Sequence, residues 1–439
     1  MKNLRNKLSK HLWKKAKKVI PGGNMLFSKR PDVLLPDSWP TYFTKSKDSY
    51  VWDLNNNKFI DMIFLVGTNT LGYANKDIDS YIKKIIGKGI MTSLNCPEEV
   101  LLAEKLIEMH PWADMVRFCR TGGEANSVAI RIARAASGKE NVAICGYHGW
   151  HDWYLASNLK NKNNLNKHLL SGLKFDGVPG KLKGTTIPFE YNNFEQLEKI
   201  VNQNNVGVIK MEVERQIKPV NNFLERVRNL ASKKKVVLIF DECTSGFRQT
   251  FGGLHKHYGV YPDMAMFGKT LGNGYAITAV IGKKEIMNAA QNTFISSTFW
   301  TERIGPSAGL KTLEIMEKIK SWKILPLIGE KIINRWKEIS SYHRVKISIS
   351  GLVTIPSFNF DGENSLLYKT YFTQEMLKKG FLASNIIFVS ISHNDKILKK
   401  YFDAFEDVFS KINKLNNENK KIKDFLEGPV CHSTFRRLN

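Results

Sequence analysis

The chain has 439 residues, of which 42% are hydrophobic and 11% aromatic, a composition that excludes wholesale disorder and allows a large core and two domains. No apolar run approaches the ~20 residues of a membrane-spanning helix, so no membrane partner is expected. The net charge of +25 raises nucleic acid as a partner, but lysine and asparagine are spread along the chain and no zinc-finger or RNP sequence occurs, so none is expected. Cys96, Cys119, Cys145, Cys243 and Cys431 form no CxxC pair, which points away from a disulfide framework or a zinc site. The lysine-rich start lacks the apolar core of a signal peptide, and a reducing cytoplasm is the expected compartment.

Leu4, Leu8, His11, Leu12 and Lys15 recur at helical spacing before Pro21-Gly22-Gly23 breaks the pattern. This stretch reads as an arm packing on its own protein or a partner subunit rather than as a membrane-surface helix. Residues 50–63 predict two short strands joined by an Asn-rich turn, and 75–87 and 97–110 predict helices, the second opened by Pro97-Glu98-Glu99. Met115–Cys119 is a strand running into Arg120-Thr121-Gly122-Gly123-Glu124. Ala125, Val128, Ala129, Ile132, Ala133 and Ala136 then line one face of a helix. A Thr-Gly-Gly turn there offers free N–H groups at the positive end of a helix dipole, an anion cradle suited to phosphate.

Asn141–Cys145 is a second strand, followed by Gly146-Tyr147-His148-Gly149-Trp150-His151-Asp152. His148, His151 and Asp152 are metal-ligand types, but no further ligand cluster supports them and no metal is expected. Tyr147, at a strand end, is better placed to cover a planar ring. Residues 154–184 form a long connection rich in Asn, Lys and Gly, of the kind that serves as a lid or a partner contact. A strand at 206–211 ends in Glu212, and a helix at 223–232 returns the chain.

Residues 236–240 are five apolar, mostly β-branched residues stopped by Asp241-Glu242. Such a run predicts a strand buried on both faces of a parallel sheet with its carboxyl end at a site. A carboxylate there requires a cationic partner. Ala265-Met266-Phe267-Gly268 is a second short apolar run, and it delivers Lys269 to the same edge, where α/β proteins bind ligands. Gly268-Lys269-Thr270 mimics the end of a Walker A box, but Asp263 stands where its first glycine must be, so a P-loop is rejected.

A strand at 276–281, a polar loop at 296–300 and a long helix from near Glu302 follow. Beyond about residue 320, helices at 328–342, 367–379 and 396–415 alternate with strands at 345–349, 357–360 and 386–391, a smaller α/β domain with a solvated tail at 416–423. The expected organisation is an N-terminal arm and small-domain segment at 1–75, a large domain at 76–318 and a small domain at 319–439.

One sheet edge would thus carry an anion turn (Thr121 to Glu124), an aromatic platform (Tyr147), an acid (Asp241) and an amine (Lys269). A phosphorylated pyridine aldehyde needs these four groups, for its phosphate, its ring face, its ring nitrogen and its aldehyde. The chain also resembles the class III, fold type I pyridoxal-phosphate aminotransferases, and within them the glutamate-1-semialdehyde aminomutases and their relatives. The matching segments are Val-Trp-Asp-Leu-Asn (51–55), Arg-Thr-Gly-Gly-Glu-Ala-Asn (120–126), Ile-Arg-Ile-Ala-Arg-Ala (130–135), Tyr-His-Gly (147–149), Phe-Asp-Glu-Cys-Thr-Ser-Gly-Phe-Arg (240–248), Pro-Asp-Met (262–264) and Gly-Lys-Thr-Leu-Gly-Asn-Gly (268–274).

The resemblance implies an α/β fold with a mostly parallel seven-stranded sheet in the large domain, and pyridoxal 5'-phosphate as cofactor. It implies that Lys269 forms the Schiff base and moves a proton, and that Asp241 pairs with the pyridinium. Gly122 and Gly123, after Thr121, would bind the phosphate through their backbone. Tyr147 would stack on the ring, with His148 and Glu212 near the cofactor and Cys243 on its opposite face. Thr298 would reach the phosphate of a neighbouring subunit, which implies a homodimer. The partners implied are a small-molecule amino donor and an oxo acceptor.

Departures from the family pattern concentrate at the substrate. Thr121-Gly122-Gly123 replaces the usual Ser-Gly-Thr or Ser-Gly-Ala, and Val213 replaces a proline. The aminomutase's carboxylate-binding arginine falls on Lys29 by direct count, with Arg30 one residue late. Phe381 to Ser390 matches a Tyr-Leu-Ala-Pro-Ser segment without its acidic insert, whereas the loop at 152–184 resembles the aminomutase lid. Three readings stand: an intermolecular aminotransferase, an intramolecular aminomutase acting on a glutamate-semialdehyde-like substrate, and a non-catalytic scaffold. Retention of Lys269, Asp241, Tyr147 and the glycine turn together argues against the last.

Overall fold

In this computed structural model, which describes residues 7–168 and 170–435, the chain divides into two units: Lys76–Trp322, and the described parts of 1–75 and 323–439. Leu4, one of the helically spaced residues above, lies outside the described residues.

The first unit is built on seven strands: β1 (Met115–Cys119), β2 (Asn141–Cys145), β3 (Thr186–Pro188), β4 (Val206–Glu212), β5 (Val237–Glu242), β6 (Met264–Phe267) and β7 (Thr278–Gly282). Their order across the sheet is β1-β7-β6-β5-β4-β2-β3. β3, β2, β4, β5 and β6 run parallel, and β7 is antiparallel to both of its neighbours. β4 and β5 are buried at every position, which is why both read as near-continuous apolar runs. The helix α1 (Gly122–Ser137) lays Ala125, Val128, Ala129, Ile132 and Ala133 against Val208, Ile239, Met266 and Val280 of the sheet. Each large aliphatic side chain buried there contributes roughly 1.5–3 kcal/mol.

Register fixes what meets at the carboxyl edge. Glu212 of β4 pairs with Asp241 of β5, and Asp241 in turn with Met266 of β6. Asp241 and Glu242 point to opposite faces because side chains alternate along a strand. Glu242 is taken up by a buried network in which its carboxylate meets His255 Nδ1 and the N–H of Leu254, while Trp112 Nε1 donates to His255 Nε2 at 2.9 Å. Only Asp241 is left for the edge.

The second unit holds a four-stranded sheet of Phe43–Lys47, Tyr50–Asp53, Lys58–Asp61 and Phe381–Leu382, plus the hairpin Ile347–Ser350 and Ser357–Phe360. An aromatic cluster of Trp336, Phe358, Phe372, Phe405 and Phe409 fills its core, and Trp336 Nε1 donates to Tyr401 Oη at 3.1 Å. The expected strand at 386–391 is not one. Ile387 and Val389 donate to Pro356 and Thr354, whereas Phe388 and Ile391 donate to Ile63 and Thr70. The run is extended and apolar, but its N–H groups alternate between two segments instead of following one partner. Conversely Phe43–Lys47, polar and largely exposed, carries no apolar alternation and is a strand only through its pairing with Tyr50–Asp53.

Candidate active site

Asp241 lies 5% exposed at the end of β5, and three groups converge on its carboxylate. His148 Nδ1 stands 2.8 Å from Oδ2, Lys210 Nζ stands 3.7 Å from the same oxygen, and the Cys243 N–H donates to Oδ1 at 3.2 Å. Burial alone would raise the pKa of this group. The charge of Lys210 and the His148 hydrogen bond outweigh it and hold the carboxyl well below the usual range.

Lys269 follows β6 after Gly268 and has φ of +42°. A non-glycine residue in the left-handed region costs roughly 1–3 kcal/mol and persists where its surroundings over-determine it, commonly at functional sites. Its Nζ donates to Thr244 Oγ1 at 2.6 Å, and Arg215 Nη1 lies 3.5 Å from that same oxygen. The amine and the guanidinium therefore stand no further apart than the sum of those two distances. Arg215 is anchored by Glu212 Oε1 at 2.6 Å. Burial, then the Arg215 charge, push the Lys269 amine down to about 8, so a substantial fraction is neutral and nucleophilic near neutrality.

At the far end of the site, Thr121 caps α1 in a reciprocal box. Its Oγ1 accepts from Glu124 N–H at 3.3 Å, and Glu124 Oε2 accepts from Thr121 N–H at 2.8 Å. This leaves the N–H groups of Gly122 and Gly123, at the first two helical positions, without an intrahelical acceptor. Gly123 has no room for a side chain, because a Cβ there would lie 3.0 Å from His151 Nε2; one on Gly122 would lie 3.8 Å from Cys243 Sγ. The helix start thus sits beside the residue whose backbone binds Asp241.

Tyr147 is half-buried, its N–H donating to Glu212 Oε2 at 3.2 Å and its ring edge-on to Tyr154 at 6.1 Å. The start of the 154–184 connection is pinned rather than loose: Asn158 accepts from Leu165 N–H and donates to the Leu173 carbonyl, both at 3.1 Å. His168 Nδ1 accepts from Gly146 N–H at 3.0 Å, and burial pushes this imidazole down to about 4. Its other nitrogen is therefore the protonated one. His168, Lys167, Glu190, Tyr191, Glu212 and Arg215 line a cavity of 230 Å³.

Thr298 is exposed in the turn Thr298–Thr301. Lys29 and Arg30 belong to the other unit. There Arg30 is 5% exposed, grips Asp32 through Nε at 3.0 Å and through Nη2, and stands over the Phe27 ring. His151 turns to Ser127 Oγ at 2.6 Å, away from His148, and among the described residues no group of three or more His, Cys, Asp or Glu side chains could hold a metal. No helix among them is long and apolar enough to cross a membrane.

Lys210, Arg215 and Thr244 were missed by reasoning from the sequence. The one signal was Lys210, a lysine inside an otherwise apolar strand. Two free N–H groups at a helix start, a buried carboxylate and a depressed amine form a donor set that fits pyridoxal phosphate.

Comparison with known proteins gives the family. Residues 36–409 match the family Aminotransferase class-III. The chain is 32% identical over 423 residues to the 3-aminobutyryl-CoA aminotransferase of Cloacimonas acidaminovorans, covering 93% of this chain and 98% of that protein. It is 31% identical to the glutamate-1-semialdehyde 2,1-aminomutase of Nitrosopumilus maritimus, covering 90% and 97%. Among solved structures, the internal aldimine form of the Sphingopyxis sp. MTA144 FumI protein, which contains pyridoxal phosphate, superposes with a TM-score of 0.85 at 22% identity over 95% of this chain and 99% of that one. An omega-transaminase from Sphaerobacter thermophilus gives 0.82 at 21% identity, covering 92% and 98%. The chain belongs to the class III aminotransferases, a pyridoxal-phosphate-dependent family of fold type I whose chemistry is amino-group transfer.

Proposed function

We propose that this protein is an intermolecular aminotransferase in which Lys269, Asp241 and the Gly122–Gly123 turn hold the cofactor and Arg215 reads an anionic group of the substrate. The observation that carries the reading is the shared Thr244 hydroxyl, which sets the Lys269 amine and the Arg215 guanidinium side by side at the edge that bears Asp241. When bound, pyridoxal phosphate supplies a carbonyl carbon that joins an amine and a ring that draws electrons from the adjacent carbon.

The Gly122 and Gly123 N–H groups bind its phosphate, and Asp241 keeps a proton on the ring nitrogen. Lys269, once free, carries a proton between neighbouring carbons, with Thr244 Oγ1 fixing its direction. Arg215 keeps Nε and Nη2 without a protein acceptor among the described residues, so it can bind a carboxylate without leaving Glu212. Arg215→Gln is expected to raise KM for carboxylate-bearing donors roughly 10- to 100-fold, the scale of a charge-assisted hydrogen bond of about 1.5–3 kcal/mol. Steady-state kinetics with a simple alkylamine as control check this, because the KM of a donor without a carboxylate should not rise.

The test of the reaction is a single half-turnover. Holoenzyme mixed with one amino acid and no acceptor should convert stoichiometrically to the pyridoxamine form and release an oxo acid. The relatives named glutamate-1-semialdehyde 2,1-aminomutase favour a second reading, an intramolecular amino shift. Turnover of an amino-aldehyde or diamino substrate with no second substrate would establish it and overturn the first.

A homodimer completes the proposal. Phe294 and Phe299, on either side of Thr298 in sequence, are 87% and 69% exposed, two large apolar side chains that a partner could cover. A second copy of the chain covering it would bring Thr298 to the neighbouring cofactor. Sedimentation should give the mass of two chains, and a monomer that retains full activity would refute the shared site.

A further inference from the structure

Lys210 is completely buried inside β4, a position where a lone ammonium is prohibitively costly. The groups that face it are Asp241 at the end of β5, with Oδ2 at 3.7 Å, Met266 of β6, with Sδ at 2.9 Å, Cys243 just beyond β5, and Glu212 two residues along its own strand. His148 approaches the same Asp241 oxygen from the other side. Glu212 is committed to Arg215, so Asp241 is the anion that compensates Lys210.

A protonated ring nitrogen brought to Asp241 by the cofactor would add another cation around one buried carboxylate. We propose that Lys210 is the counter-cation of Asp241 in the cofactor-free protein and gives up its proton when the ring nitrogen takes that place, so that Asp241 sees one such proton in either state. This rests on the pyridoxal-phosphate reading above and extends it, making Lys210 a positioning residue that acts through Asp241. Burial already presses the Lys210 ammonium toward its neutral form, with Asp241 the largest opposing influence and Cys243 and Glu212 behind it, so a ring cation at Asp241 offsets the main influence that keeps it charged.

No electrons move. If the ring arrives protonated, Lys210 releases its proton to water. If the ring arrives unprotonated, it takes up one proton while Lys210 loses one, and no net exchange with solvent is seen.

The probe is pyridoxamine 5'-phosphate, which has no aldehyde and cannot join Lys269. Calorimetric titration of the cofactor-free protein in buffers of different ionisation enthalpy counts the protons exchanged. Wild type is expected to differ from Lys210→Met by about one proton, whichever ring state enters, since the variant has none to give. Lys210→Arg, whose guanidinium does not deprotonate, should show the same count as Lys210→Met and bind roughly tenfold or more weakly than wild type.

Equal counts in wild type and Lys210→Met would overturn the inference while leaving the cofactor reading intact. Wild-type affinity in Lys210→Arg would do the same, and this arm decides alone if the methionine variant does not fold. Failure of wild type itself to bind pyridoxamine phosphate would overturn both.

Discussion

Replacing Lys269 by alanine is expected to abolish amino-group transfer. The expected fall in kcat/KM is at least about 10⁴-fold, the upper range for loss of a positioned base, because in the proposed site the same side chain would also be the covalent attachment point. The purified variant should in addition lose the visible absorbance of a lysine-bound cofactor. Retention of more than a tenth of wild-type activity would place the chemistry elsewhere.

The wild-type amine also predicts a pH dependence. Its neutral form would be the nucleophile, and the site lowers its pKa to about 8, so the neutral fraction grows as pH rises through that value. The rate at which cofactor-free protein captures pyridoxal phosphate should therefore rise with pH and level off above about 8. An ordinary lysine would keep gaining toward about 10.4. Arg215→Gln removes a neighbouring cation, so it should move this midpoint upward.

How much of this was legible in the sequence follows from the kind of signal each residue leaves. The strand at 236–240 and its terminal acids are visible because a strand buried on both faces must be apolar throughout, and a charged residue ends it. The start of α1 is visible because a Thr-Gly-Gly turn precedes the apolar helical face from Ala125 to Ala136, whereas the reciprocal box of Thr121 and Glu124 emerges only from the fold. Lys210 carries a local signal, a charge in an apolar run, but that signal has no interpretation without the register that sets Glu212 against Asp241.

Arg215 leaves none. It reaches Thr244 only because the chain turns after β4, and the direction of that turn depends on tertiary packing rather than on spacing. The segment at 386–391 shows the converse failure. Its short apolar run is that of a strand, yet its donors are shared between two partners, and no sequence pattern distinguishes one partner from two. For Arg30 the direct count of residues is informative about position alone, and its pairing with Asp32 emerges only from the fold.

Asp241→Ala is expected to damage the cofactor-free protein and the holoenzyme by separate routes, and these can be measured apart. In the cofactor-free protein it strips the buried Lys210 of its anion and leaves His148 facing a methyl group. Removing one member of a buried charge pair costs about 3–5 kcal/mol, to be read as a lowered denaturation midpoint. Adding Lys210→Met to Asp241→Ala should return a large part of that loss, because the stranded ammonium is then gone; strict additivity of the two substitutions would mean that the groups do not interact.

The sign of the pH dependence is fixed by the depressed pKa of Asp241. Its contribution is complete above the unfolded value of about 3.9 and drains away as pH falls from there toward the lower folded value. The part of the wild-type stability that Asp241 supplies should accordingly be constant near neutrality and be lost only in acid. In the holoenzyme, on the proposed reading, the same substitution would leave the ring nitrogen without its carboxylate, and kcat should fall by roughly 10²–10³, the scale for one preorganised electrostatic partner. The Lys210→Met addition that repairs stability cannot repair this, because it restores no anion to the ring. Recovery of stability without recovery of kcat in the double variant is the outcome that assigns Asp241 both tasks.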